Sequence, residues 1–162
     1  MAITSLPYEE TLGGTLLVRK PPGPRHEVIC ERLHRCVSAS VEGIKSTRLL
    51  PPRTQVRLSP STVVCPDLAL VTVATDKLWL AAEIVSSDDH ATDTVVKKQL
   101  YEDLKLPRLW MIDPRYDNVE LYHATQYGMA LIAILAGSEI LSENLLPEFQ
   151  ITIVDLFRAD PM

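Results

Sequence analysis

Three ionisable residues stand where a charge is expensive. Asp67 follows Pro66 at the head of the apolar run LALVTV, Glu83 interrupts the apolar stretch LWLAAEIVSS at residues 78–87, and Lys97 lies inside a helical pattern. An ionised carboxylate among apolar side chains has to be paired, hydrogen-bonded or bound to a cation. Two carboxylates a few ångströms apart repel each other unless a proton or a cation sits between them. Magnesium, with manganese as its stand-in, suits such a pair because it takes oxygen ligands, is often held by one or two carboxylates and keeps waters available for chemistry.

The lysine is selected by helical geometry. At about 100° per residue, Val96, Leu100 and Leu104 define the buried face of a helix over about Ala91 to Lys105. Lys97 falls within that arc together with Asp93 and Tyr101, whereas Lys98 points away. A lysine on a core-facing arc needs a partner or a function. Asp93 precedes it by four residues in the favourable acid-before-base order, so a structural ion pair competes with a catalytic role.

Other polar groups read more plainly. Asp88, Asp89 and His90 are adjacent and cannot easily converge on one ion, and acids ahead of a helix favour its N-terminus. His26 and His34 lie eight residues apart, not at the four-residue spacing of helical zinc ligands, and His123 stands alone. None of the three is assigned a metal. Ser86 shapes the end of the strand, Asp113 before Pro114 is a turn residue, and Glu27, Glu31 and Arg35 form a solvated helix face with one weak ion pair. The three cysteines, an odd number without CxxC spacing, read as reduced structural thiols.

The elements that must carry these residues follow from periodicity and turn chemistry. Gly13-Gly14 turns an N-terminal hairpin over about 8–20, and PPGP at 21–24 ends it. From Arg25, residues Ile29, Leu33, Cys36 and Val37 make one apolar stripe of a helix. Strands are expected at 53–58 and 67–74 and again around Glu83. Asp76-Lys77 suits a tight turn, so the last two strands pair antiparallel and bring Asp67 and Glu83 to one end of a sheet. Period-two alternation puts Glu83 on the face of Trp79 and Ala81, opposite Leu80, Ala82 and Ile84. Beyond the second helix come strand-like segments at Leu109 to Ile112, Val119 to Tyr122 and Met129 to Leu135, then Phe149 to Phe157, a strand running into a turn of helix. The order predicts an α/β (α+β-like) fold, a mixed sheet with helices packed on it.

At 162 residues with 46% hydrophobic content the chain has the length of one domain, here 1–162 with its core at about 25–158. No run of eighteen apolar residues appears, and MAITSLPYEE lacks a secretory signal, so a cytoplasmic protein with no membrane contact is expected. The net charge of −5 argues against an obvious nucleic-acid binder. It conceals an asymmetry, because residues 1–60 hold nine Lys and Arg against five acids while residues 61–162 hold seven against sixteen. The basic portion can present a phosphate-facing surface or simply an unevenly charged one.

PDLALV, AAEIVSS, DTVVKKQLY and LPRLWMIDP with VELY beyond it resemble, in order and spacing, the Uma-two family of restriction-endonuclease-type domains in the PD-(D/E)xK nuclease superfamily. Pro66, Asp67, Glu83, Ser86, Asp93, Lys97, Tyr101, Trp110, Asp113 and Pro114 carry the likeness, and both the helix opening at His26 and the closing SENLLPEFQITIVDLF extend it over nearly the whole chain. The resemblance implies a restriction endonuclease-like core, Asp67 and Glu83 as magnesium ligands, and Lys97 near the reacting phosphate. Asp93 would then position Lys97, and Tyr101 would pack against it. At position 85, where the superfamily name calls for lysine, stands Val85, so the lysine has moved to the helix. The implied activity is hydrolysis of DNA, in a homodimer if both strands are cut, with no organic cofactor. The alternative is a catalytically inactive member that binds nucleic acid or assembles with proteins.

Overall fold

The five residues after Asp67 and the seven-residue segment that contains Glu83 form the centre of the sheet in the computed structural model, which describes residues 6–86 and 88–159. Strands β6 (Leu68–Thr72) and β7 (Leu78–Ile84) pair antiparallel, as the Asp76-Lys77 turn predicts, with Asp76 at a φ of 56°. On the other side of β7 lies β8 (Arg108–Asp113), parallel to it, which requires a crossover. That crossover carries Lys97. Strands β9 (Asn118–Thr125) and β10 (Gly128–Ala136) extend the sheet antiparallel from β8, and β3 (Thr47–Leu49) closes the far edge beside β6, giving six strands in the order β10-β9-β8-β7-β6-β3.

A second sheet of four strands contains β1 (Tyr8–Leu12) and β2 (Thr15–Arg19), the expected hairpin, with β5 (Thr62–Val64) and β4 (Val56–Ser59) beside it. Gly13 and Gly14 both take positive φ, which is what a two-residue turn between twisted strands requires. A short pair, β11 (Ile140–Glu143) and β12 (Leu146–Thr152), leads into α3 (Ile153–Phe157).

Helix α1 (Pro24–Val41) begins with proline in its first turn, where a missing N–H costs nothing, and buries Ile29, Leu33 and Val37 as the stripe predicts. These pack with Leu68, Leu70, Leu80, Ala82, Ile84 and Trp110 on one face of the large sheet. Trp110 stacks on Phe149 of β12 with ring centroids 5.4 Å apart. Arg32, also buried, donates to the carbonyls of Asp155, Leu156 and Arg158 and so satisfies the end of α3. The opposite face of the sheet holds Ala69, Val71, Ala81, Leu109 and Met111 against Tyr101.

Two expectations about facing are corrected. The β6–β7 ladder shifts register between Leu70 and Val71, so β7 carries a bulge at Trp79. Trp79 accordingly packs with Leu80 on the α1 side, its Nε1 donating to Thr47 at 2.7 Å, while Glu83 stays with Ala81 on the other. The second correction concerns the crossover. Thr92–Lys97 is wound as a π-helix before α2 (Lys98–Asp103) continues as an α-helix. Looser i→i+5 winding breaks the 100° step assumed from sequence. Val96 and Leu104 are therefore exposed, and the buried face consists of Asp93, Lys97 and Tyr101.

Candidate active site

The pairing of Leu68 with Ala82 sets Asp67 beside Glu83 at one end of the β6–β7 ladder. Each is only 2% exposed, so each needs the partners that its burial demands. Asp67 has three donors. His26 Nε2 lies 2.8 Å and Arg53 Nη1 3.0 Å from Oδ1, and the backbone N–H of Ile84 donates to Oδ2 at 2.8 Å. Burial alone would raise this carboxyl, but His26, the Ile84 amide and Arg53 outweigh it and hold it at about 2. Arg53 is itself anchored, bonding both oxygens of Glu27 at 2.8 Å. Glu27 thus serves as a clamp on Arg53, not as part of the solvated face predicted for it.

Glu83 is held from the crossover. Lys97 Nζ donates to its Oε1 at 2.8 Å and Tyr101 OH to its Oε2 at 2.6 Å. Burial pushes this carboxyl up; Lys97 pulls against it, but Glu10, Asp67 and Asp93 add to burial and the group rises to about 8. Lys97 moves the opposite way. Burial opposes its charge, yet Glu83, Glu10 and Asp93 together hold its ammonium well above the usual range.

Lys97 has a second carboxylate that the sequence pattern did not single out. Glu10 of β1 accepts from Lys97 Nζ at 2.7 Å, from the Cys65 backbone N–H at 2.7 Å and from Arg19 Nη1. Arg19, at the end of β2, also donates to Asp93 Oδ1 at 2.9 Å, and Asp93 Oδ2 accepts from the Ser86 N–H at 3.0 Å. Asp93 therefore shares the cluster with Lys97 through Arg19 and through its field, with Arg19 as its own direct partner. The faint signal for Glu10 was its register with Tyr8 and Leu12 on the inward face of β1. His26, Arg19 and Arg53 come from three distant segments, and no local spacing ties them to Asp67 or Asp93.

Asp67, Glu83 and Asp93 line one pocket of about 510 Å3, bounded by the β2 end, the PPGP segment and the Pro114-Arg115 turn. No three His, Cys, Asp or Glu side chains among the described residues are grouped to hold a metal ion. The two acids fit magnesium nevertheless, since it needs only one or two carboxylates beside water and substrate oxygens. Each carboxylate offers about four lone-pair sites and accepts fewer bonds than that, two at Glu83 and three at Asp67. Oxygen donors without sulfur or a grouped imidazole set argue against zinc. A cation held by the two carboxylates would, with the adjacent ammonium, offset negative charge building on a phosphoryl group and orient water.

Comparison with known proteins gives one family. The model for the family described as "Putative restriction endonuclease", Uma2, matches residues 4–154. Among solved structures, the crystal structure of a "putative nuclease belonging to DUF820" from Anabaena variabilis ATCC 29413 superposes with a TM-score of 0.77 at 16% identity, covering 93% of this chain and 90% of that one. At that identity the likeness concerns the fold. No curated protein matches.

Proposed function

This chain belongs to the Uma2 putative restriction endonuclease family, and from that premise we propose that it is a magnesium-dependent endonuclease hydrolysing phosphodiester bonds of DNA. The observation that carries the reading is that Asp67, one residue ahead of β6, and Glu83, in the facing β7, line one pocket with Lys97 bonded to Glu83. In this reading Asp67 and Glu83 hold magnesium or manganese, which when bound polarises the phosphate and acidifies water. His26, Arg53 and the Ile84 amide keep Asp67 ionised and fixed in orientation. Lys97, positioned by Glu10 and Asp93, brings a permanent positive charge beside the phosphate as negative charge builds on it. Tyr101 fixes the other oxygen of Glu83, so it does more than pack against the lysine.

The test is a cleavage assay on plasmid and oligonucleotide substrates with magnesium or manganese. Asp67→Asn and Glu83→Gln are expected to reduce turnover by about a hundredfold or more, and Asp67→Asn to abolish magnesium binding by calorimetry. Equal product from wild type and both variants removes the catalytic assignment. A second reading, a nuclease fold retained for binding or assembly, is favoured by one observation: Lys97 already satisfies two buried carboxylates, Glu10 and Glu83. Magnesium binding without any product selects it.

A further inference from the structure

The pocket's walls differ in chemistry from its floor. Asp67 and Glu83, on the floor, are 2% exposed, so a phosphate has to descend below the surface to reach them. Tyr8, Val18, Pro21 and Pro22 give one side an apolar and aromatic lining, and Lys20 and Arg25 stand with them. Arg25 is engaged with Asp117 at 2.7 Å and lies over the Phe157 ring, yet its side chain keeps 46% exposure. Lys20 is exposed and has no carboxylate partner among the described residues. Asp88 and Asp89, both exposed, line the same pocket, with Asp89 Oδ2 3.3 Å from Nε of Arg19, the neighbour of Lys20 in the chain. A polyanion is thus attracted by Lys20 and Arg25 and repelled by the two acids, so its path runs over the cations.

A volume of about 510 Å3 lies in the range of small-ligand pockets. A base-paired duplex keeps its bases stacked and its phosphates on the outside, so bringing one phosphate to a buried floor means unstacking at a cost of a few kcal/mol, which unpaired strands avoid. Apolar and aromatic walls offer a free base a surface on which to stack. We infer that this pocket takes one unpaired nucleotide of a DNA strand, its base against Tyr8 and the proline wall, with the flanking backbone leaving over Lys20 and Arg25. The inference rests on the proposed nuclease reading and narrows its substrate to single strands, overhangs and flaps.

The experiment measures fluorescence anisotropy of a labelled short single strand, the same sequence as blunt duplex, and a duplex with single-stranded tails. Calcium replaces magnesium, since it takes the same oxygen donors. The single strand and the tailed duplex are expected to bind at least about tenfold tighter than the blunt duplex. Lys20→Glu, a substitution at an exposed site, is expected to weaken single-strand binding by about tenfold, and Tyr8→Ala by a similar factor that Tyr8→Trp restores. Blunt duplex binding as tightly as the single strand, or no effect of Lys20→Glu, overturns the inference. Cleavage of closed circular duplex without single-strand preference overturns it while leaving the nuclease reading intact. Single-strand preference with no product in magnesium or manganese supports the pocket's specificity and removes the nuclease.

Discussion

Lys97 Nζ lies 2.8 Å from Glu83 Oε1, and the two residues join the crossover helix to the central strand inside a solvent-excluded cluster. The same ammonium satisfies Glu10 at 2.7 Å. Removing it by Lys97→Met leaves two buried carboxylates facing each other. Such a break costs about 3–5 kcal/mol, and urea denaturation is expected to show a loss of that order. Adding Glu10→Gln and Glu83→Gln to Lys97→Met is expected to recover most of it, because no unpaired charge remains. A loss below about 1 kcal/mol in the single variant disproves the clustering.

Asp67 makes acid the sensitive side of the stability profile. Its folded-state value of about 2 lies below the ordinary 3.8. Its contribution is therefore complete above the ordinary value and is lost as pH falls through about 2, amounting to about 2 kcal/mol. Unfolding of the metal-free protein followed from pH 5 to pH 2 should lose that much more in wild type than in Asp67→Asn. His26 contributes on the other side, since Asp67 raises its imidazole despite burial. That share is present below the ordinary histidine value and is lost as pH rises through the raised one, so His26→Gln flattens the neutral range. Parallel profiles in wild type and both variants contradict the pairing.

The parts of this site that were legible in sequence share a cause: each was announced by a local conflict. Glu83 amid LWLAA, Asp67 at the head of LALVTV and Lys97 on a helix each broke a pattern that neighbouring residues defined. The turns at Gly13-Gly14 and Asp76-Lys77 were legible because backbone chirality restricts what can stand there. What escaped lay beyond local rules. Strands β3, β5 and β11 have three or four residues and no room for a period to show. The π-wound turn inverted the expected burial of Val96 and Leu104, because it depends on Asp93 and Lys97 finding Arg19, Glu10 and Glu83 in space. His26 looked idle until Asp67 was folded against it.

Arg53 offers a test that separates backbone from side chain. It holds Asp67 and Glu27 while its φ is 58°, the left-handed region that costs a residue with a Cβ about 1 kcal/mol. Arg53→Ala and Arg53→Gly both lose the guanidinium, but only glycine relieves the backbone. Arg53→Gly is expected to be more stable than Arg53→Ala by about 1 kcal/mol in chemical denaturation. Both are expected to move the acid transition of Asp67 upward, since one of its donors is gone. Alanine matching glycine indicates that the turn relaxes without the side chain.

The N-terminal hairpin couples a surface turn to the buried cluster, and Gly14 tests that coupling. Its φ is +87°, and a Cβ there meets nothing within 4 Å, so Gly14→Ala is penalised by backbone conformation and not by collision. The expected penalty is about 1 kcal/mol. It falls first on the hairpin, whose β1 carries Glu10 and whose β2 carries Arg19. The Cys65 amide donates to Glu10 Oε2, whereas the Val85 amide donates to Ile112 inside the large sheet. Amide hydrogen exchange therefore distinguishes local from global opening. In Gly14→Ala the Cys65 amide is expected to exchange about fivefold faster, with the Val85 amide unchanged. Equal acceleration at both positions means that the hairpin opens only when the whole fold does, and Glu10 is then as firmly held as the sheet it leans on.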